Sequence, residues 1–116
     1  MTGVGDRRLA SERGQPRVLV CRGCCCGSER KHPDIDHDEQ VVAISSVAHA
    51  RVVDCVDECK QSNVVIVRPR PGESIWFGRL NSDALTEELC EWLGEGAPMP
   101  LPPVLEVFAF ERQRRA

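Results

Sequence analysis

The chain has 116 residues, a formal net charge of -3 at pH 7 and few aromatic residues, with two Trp, three Phe and no Tyr. This length suits one domain with flanking tails, and the charge and scarce aromatics argue against nucleic-acid binding. No apolar stretch approaches the roughly 18 residues that a membrane span requires, and the N-terminus lacks the hydrophobic region of a secretory signal. We therefore expect a cytoplasmic protein without a nucleic-acid or membrane partner.

Six elements are predicted in the central part of the chain. Apolar runs rich in β-branched residues predict four strands, at 17–21, 51–55, 63–68 and 74–78. Apolar residues at helical spacing predict a helix that begins near Asp36 or Asp38 and a second helix over about 82–93. The order β-α-β-β-β-α is that of a minimal α/β, thioredoxin-like fold with a mixed four-stranded sheet and two helices.

The two ends differ in composition from this central part. Residues 1–15 are polar and without pattern, which predicts a disordered N-terminal segment before a domain at 16–95. A cluster of prolines predicts an extended C-terminal tail at 96–116. The apolar residues of this tail would either add an edge strand or dock on a partner; they are Leu105, Val107, Phe108 and Phe110.

Seven cysteines in a reducing compartment indicate metal binding or redox chemistry rather than disulfides. Cys21 and Cys26 form C-x4-C after the first predicted strand, and Cys55 and Cys59 form C-x3-C after the second. Because a strand–helix–strand unit makes its two strands parallel, their carboxyl ends meet at the same edge of the sheet. Four thiolates at one edge form a soft ligand set that suits iron–sulfur clusters, zinc or copper(I).

The cysteine pairs lie in the segments VLVCRGCCCG and VVDCVDECKQSNVVIVRP. These segments resemble the thioredoxin-like 2Fe–2S ferredoxins, a family that includes the cluster-bearing subunit of NADH dehydrogenase (complex I), over roughly residues 17–94. The resemblance implies a one-electron carrier rather than an enzyme, and a redox protein as its partner; it leaves open a homodimer. It also implies the ligands of the 2Fe–2S cluster, which are Cys21, Cys26, Cys55 and Cys59.

The second ligand has alternatives within this resemblance. Cys26 has the family spacing, but Cys24, Cys25 and Cys26 are contiguous, so Cys24 or Cys25 could replace it. His32 or His37 could replace a cysteine, as histidine does in Rieske centres. Loop histidines are more often solvated or act as caps.

Two other functions would use the same cysteines. A zinc-binding structural or interaction module would hold its metal with the four thiolates of the predicted site. A thiol–disulfide oxidoreductase would use the C-x-x-C spacing of Cys21 and Cys24, but it leaves Cys55 and Cys59 without a role. Cys90 lies within the last predicted helix, where we expect it to be a packing residue.

Overall fold

The computed structural model describes residues 16–22, 28, 32–33, 35–54, 56 and 61–111. In chain order the elements are β1 (Arg17–Cys21), α1 (His37–Ser45), β2 (His49–Val53), β3 (Val65–Arg68), β4 (Ile75–Phe77), α2 (Asp83–Gly94), α3 (Pro103–Glu106) and β5 (Ala109–Phe110). The described part is therefore α/β, with a five-stranded mixed sheet and three helices. This confirms the predicted α/β class.

The strands form one sheet in the order β2-β1-β3-β4-β5. β1 and β2 run parallel, with Cys21 opposite Val53, whereas the other neighbouring strands are antiparallel. A parallel pair needs a crossover connection, and α1 lies in the connection between these two strands. The carboxyl ends of β1 and β2 therefore lie side by side at one edge of the sheet.

Each of the two longer helices begins at a capping side chain. Asp36 Oδ1 accepts a hydrogen bond from the backbone N–H of Glu39 at 3.0 Å, and Ser82 Oγ accepts one from the backbone N–H of Leu85 at 3.1 Å. Both bonds satisfy an N–H group that the first helical turn leaves without a partner. The starts predicted near Asp36 or Asp38 and at about residue 82 agree with the structure. Within the described ranges, none of the helices combines the length and apolar character of a membrane span.

The main core lies between the sheet and the two longer helices. Alternate residues of β1 and β3 point toward the helices; these are Val18, Val20, Val65 and Val67. Ile44 of α1 and Leu89 of α2 are fully buried against them. Trp92 adds an edge-to-face contact with Phe77, with 5.7 Å between the ring centroids. Both longer helices therefore cover the same face of the sheet.

The segment after residue 96 is packed rather than extended, which differs from the tail that the proline cluster predicts. Ala97 and Leu105 are fully buried, and the indole Nε1 of Trp92 donates to the carbonyl oxygen of Pro98 at 2.8 Å. Pro103 begins α3, where proline is tolerated because that N–H would have no helical partner. β5 is the edge strand that one of the two expectations for this segment predicts, and with α3 it accounts for the one strand and one helix beyond the predicted count. This segment packs on the domain because a small domain buries little apolar surface by itself and gains apolar contacts from the segment.

Candidate metal centre

Cys21 is the last residue of β1 and is 2% exposed. Its backbone N–H donates to the carbonyl oxygen of Val64 at 3.1 Å, which continues the β1–β3 pairing to the end of the strand. Since side chains alternate along a strand, Cys21 points away from the face that the helices cover. It packs in a second, smaller cluster with the buried Val64 and Ile66 and the partly buried Leu19 and Trp76.

The other predicted ligands, Cys26, Cys55 and Cys59, lie outside the described residues, as do the alternatives Cys24 and Cys25. The residues from which their loops extend are described. The backbone N–H of Arg22 donates to the carbonyl oxygen of Val53 at 2.9 Å, which joins the start of the first cysteine loop to the end of β2.

The start of the second cysteine loop is also close to Cys21. β2 ends at Val53, two residues earlier than the predicted strand. Val56, immediately after Cys55, packs against the same small cluster as Cys21. The chain segments before and after Cys55 therefore both lie near Cys21.

The end of the second cysteine loop is held from the other side by the segment that follows β4. The backbone N–H of Arg79 donates to the carbonyl oxygen of Gln61 at 2.7 Å. Gly78 has no room for a side chain, because a Cβ there would lie 2.9 Å from Gln61 Cβ and 3.0 Å from its carbonyl oxygen. Close approach of the two backbones thus requires glycine at position 78.

Asn81 holds Ser62 and Asn63, the two residues that follow Gln61. Its Oδ1 accepts from the backbone N–H of Asn63 at 3.0 Å, and its Nδ2 donates to the carbonyl oxygen of Ser62 at 3.0 Å. Ser62 and Asn63 are joined by a cis peptide bond, and both are buried. The amide of Asn81 therefore holds the chain between the second cysteine loop and β3 through both of its polar ends.

Arg22, the residue after Cys21, connects the end of β1 to the helices. Its Nη1 donates to the carbonyl oxygen of Cys21 at 2.8 Å, and its Nη2 donates to Gln40 Oε1 at 2.6 Å. Gln40 is 2% exposed, and its Nε2 donates to the carbonyl oxygen of Leu80 at 2.9 Å and to Thr86 Oγ1 at 3.1 Å. This network was missed in the sequence, although a polar residue four positions before Ile44, on the apolar face of α1, is the signal for it.

The two histidines near the cysteines have structural partners. His37 is the first residue of α1 and is 7% exposed, so the expectation of a solvated loop residue is wrong for it. Its Nε2 donates to the carbonyl oxygen of His32 at 3.2 Å, and its Nδ1 faces Asn63 Nδ2 at 3.3 Å, which places an N–H donor opposite a ring nitrogen acceptor. His32 Nε2 lies 2.9 Å from Ser62 Oγ. Both ring nitrogens of His37 are thus engaged within the protein.

Cys90 is a packing residue, as its place in the predicted helix indicates. It is partly buried against the main core, on the sheet face opposite Cys21. Burial, and secondarily the charge of Glu87, raises the pKa of the Cys90 thiol above its ordinary value. A thiol that keeps its proton is a poor metal ligand.

Among the described residues, no group of three or more His, Cys, Asp or Glu side chains is arranged to hold a metal ion. Three of the four predicted ligands are not among them. Comparisons of the chain with protein-family models, with curated proteins and with solved structures give no match. The resemblance to the 2Fe–2S ferredoxins therefore stays a prediction carried by the motifs around the cysteines.

Proposed function

We propose that this chain is a one-electron carrier that binds a 2Fe–2S cluster. Its proposed ligands are Cys21, Cys26, Cys55 and Cys59. The observation that supports this most is the parallel, in-register pairing of β1 with β2, which ends at Cys21 opposite Val53. The first cysteine pair begins at the last residue of β1 and the second begins two residues after the end of β2, and neighbouring strands lie only about 4.8 Å apart. Loops that leave adjacent strands at one edge can bring four sulfur atoms together.

The donor set fits an iron–sulfur cluster by its chemistry. Thiolates are soft ligands, and four of them hold a 2Fe–2S cluster, which supplies the one-electron redox chemistry when bound. Around Cys21 the chain provides an apolar environment, because Val64 is fully buried and Ile66 is 3% exposed. Such surroundings limit water access and tune reduction potential. The N–H of Cys21 is used within the sheet, so other backbone N–H groups would have to serve the sulfur atoms.

The arrangement of the first six elements supports a thioredoxin-like domain. Their order is β-α-β-β-β-α, with a parallel first pair of strands followed by an antiparallel hairpin and a closing helix. α3 and β5 are additions to that order. We assign no catalytic acid or base to the chain, because electron transfer requires none. The proposal includes a redox protein as partner and a cytoplasmic location, where thiols stay reduced.

A visible spectrum of the anaerobically purified chain tests this proposal, with iron, sulfide and zinc assayed on the same sample. We expect absorption between about 400 and 550 nm that dithionite bleaches, with iron and sulfide in the ratio of a 2Fe–2S cluster. Colourless protein with bound zinc would favour a zinc module instead. Colourless protein without metal, even after anaerobic cluster reconstitution, would contradict both metal functions and favour thiol chemistry.

A further inference from the structure

The sheet face that carries Cys21 is not covered by either of the longer helices. We call it the Cys21 face and define it by the residues that share this side of the strands. Cys21 lies at one end of the face, followed along β1 by Leu19 and then Arg17, at alternate positions. The small described cluster on this face contains no residue of a helix. Cys21, Val64 and Ile66 are at most 3% exposed, so only the other residues of this face are accessible to another molecule.

Three arginines lie on this face, two of them at the end opposite Cys21 and one beside the middle of β1. Arg17 of β1 is directly opposite Arg68 of β3, and Arg51 of β2 is the register partner of Leu19. All three are exposed, and within the described part of the chain none of their guanidinium groups forms an ion pair or a side-chain hydrogen bond. Like charges directly opposite each other on a sheet destabilise it. A carboxylate placed between Arg17 and Arg68 would remove this repulsion.

Apolar side chains lie next to these arginines on the same face. Trp76 and Phe110 are cross-strand partners in an edge-to-face contact, with 6.1 Å between their ring centroids. Both are partly exposed, as is Leu19. Arginine and tryptophan are both enriched at the hot spots of protein interfaces, which contribute most of the binding energy.

We propose that the Cys21 face docks an acidic, amphipathic segment of a partner protein. Its carboxylates bind Arg17, Arg51 and Arg68, and its apolar side chains pack against Leu19, Trp76 and Phe110. Charge complementarity favours this occupant, since the face is basic on a chain whose net charge is -3. The same net charge and the apolar half of the face disfavour nucleic acid, whose phosphates need a broader basic surface.

Docking on this face would bring the partner close to the edge of the sheet where the cysteine loops begin. The binding itself does not depend on a cluster. That the docked protein is the electron partner rests on the proposed function.

The inference can be tested by nuclear magnetic resonance on the full chain. The probe is a synthetic amphipathic helical peptide of glutamate and leucine, and the control peptide has lysine in place of glutamate. We expect the acidic peptide alone to shift the backbone resonances of β1 and β3 and the indole resonance of Trp76. The effect should weaken as salt is added, because the attraction is between exposed charges. Absence of shifts, or shifts confined to residues of α1 and α2, would overturn the inference.

Arg68→Glu and Arg70→Glu form a matched pair, because they change charge equally at positions two residues apart. Arg70 lies on the turn after β3, where its guanidinium already pairs with Glu73. We expect Arg68→Glu to weaken peptide binding at least about fivefold and Arg70→Glu to leave it nearly unchanged. Arg17→Gln serves as a second, milder variant with the same expected direction. Equal weakening by Arg68→Glu and Arg70→Glu would overturn the docking site.

Further measurements distinguish a protein partner from other occupants of the face, and the docking inference from the proposed cluster. A short DNA duplex that shifts the same resonances as strongly as the peptide would overturn a protein partner. Self-association in sedimentation experiments that Arg68→Glu abolishes would assign the face to a second copy and likewise overturn it. Red-brown protein that does not bind the peptide would overturn the docking alone, whereas colourless, metal-free protein that binds it would overturn only the proposed function.

Discussion

Arg22 Nη2 lies 2.6 Å from Gln40 Oε1, so the residue after Cys21 is bound directly to the first turn of α1. The same guanidinium donates to the carbonyl oxygen of Cys21 at 2.8 Å and to that of His37 at 3.1 Å. Gln40 in turn donates to the carbonyl oxygen of Leu80, just before α2. The exit from β1 is thus fixed by both longer helices before the first cysteine loop begins.

Replacing Gln40 by Leu should destabilise the protein, because Gln40 links three partners that have little access to water. The carbonyl oxygen of Leu80 and the guanidinium of Arg22 would each lose a hydrogen bond. We expect the free energy of unfolding to fall by about 2–3 kcal/mol, measured by urea denaturation. Ser45→Ala, at an exposed position of the same helix, should change it by less than about 0.5 kcal/mol. Equal stability of the Gln40→Leu variant and the wild type would refute the role of this network.

Gly78→Ala should displace the chain at Gln61, since the added Cβ would lie 2.9 Å from Gln61 Cβ and 3.0 Å from its carbonyl oxygen. We expect a loss of about 1–3 kcal/mol of unfolding free energy, together with reduced iron content, because Gln61 follows the loop of Cys59. Gly94→Ala is the matched control: its Cβ would meet only Val47 Cγ1, at 3.9 Å, an ordinary contact. That variant should be neutral or up to about 1 kcal/mol more stable. Denaturation curves and iron assays of both variants decide the matter.

Leu105→Ala tests whether the segment after residue 96 belongs to the domain. Leu105 is fully buried in the main core, whereas Val107, two residues later, is 67% exposed. We expect Leu105→Ala to lower the unfolding free energy by about 2–4 kcal/mol through the cavity it leaves. Val107→Ala should have almost no effect. Similar, small effects of both variants would mean that this segment does not contribute to the core.

Cys55→Ser and Cys59→Ser should each lower iron content and melting temperature, because metal binding is coupled to folding. Cys90→Ser should leave the iron content unchanged, since Cys90 is on the opposite face of the sheet from Cys21. Iron analysis and thermal unfolding of the three variants provide the measurement. Full iron retention in both Cys55→Ser and Cys59→Ser would exclude the proposed ligand set.

The raised pKa of Cys90 predicts a stability difference at alkaline pH. Burial, with a smaller effect of Glu87, makes the folded state hold the thiol proton more tightly than the unfolded state does. Well below the ordinary pKa of 9.0 the thiol is protonated in both the folded and the unfolded state, so this group does not make stability depend on pH. As the pH rises above 9.0, the unfolded state loses the proton first, and the protein therefore loses stability. We expect the unfolding free energy of the wild type, relative to that of Cys90→Ala, to be constant near neutral pH and to decline above about pH 9. A difference that stays flat into this range would contradict the prediction.

Local signals in the sequence predicted much of the central fold. Asp36 and Ser82 mark the helix starts because a cap acts on N–H groups only three residues away. The apolar runs of β1 and β3 predict strands because a strand in a sheet interior must be apolar on both sides. The tail was predicted less well, because Leu105 is buried only through contacts with residues far away in the chain.

For the candidate site, the sequence by itself determined the spacing of the cysteines, and it predicted the strands that they follow, although β2 ends two residues earlier than predicted. Tertiary structure decided which residues surround the strand ends and the starts of the cysteine loops. The hydrogen bonds of Arg22 to Gln40 and of Asn81 to Asn63 join residues from separate elements, and no local pattern encodes such distances. Alternation fixes that Leu19 and Cys21 share a side of β1, but the helix packing decides that this side faces away from the two longer helices. The sheet register likewise sets Arg17 opposite Arg68, because only strand pairing brings distant residues face to face.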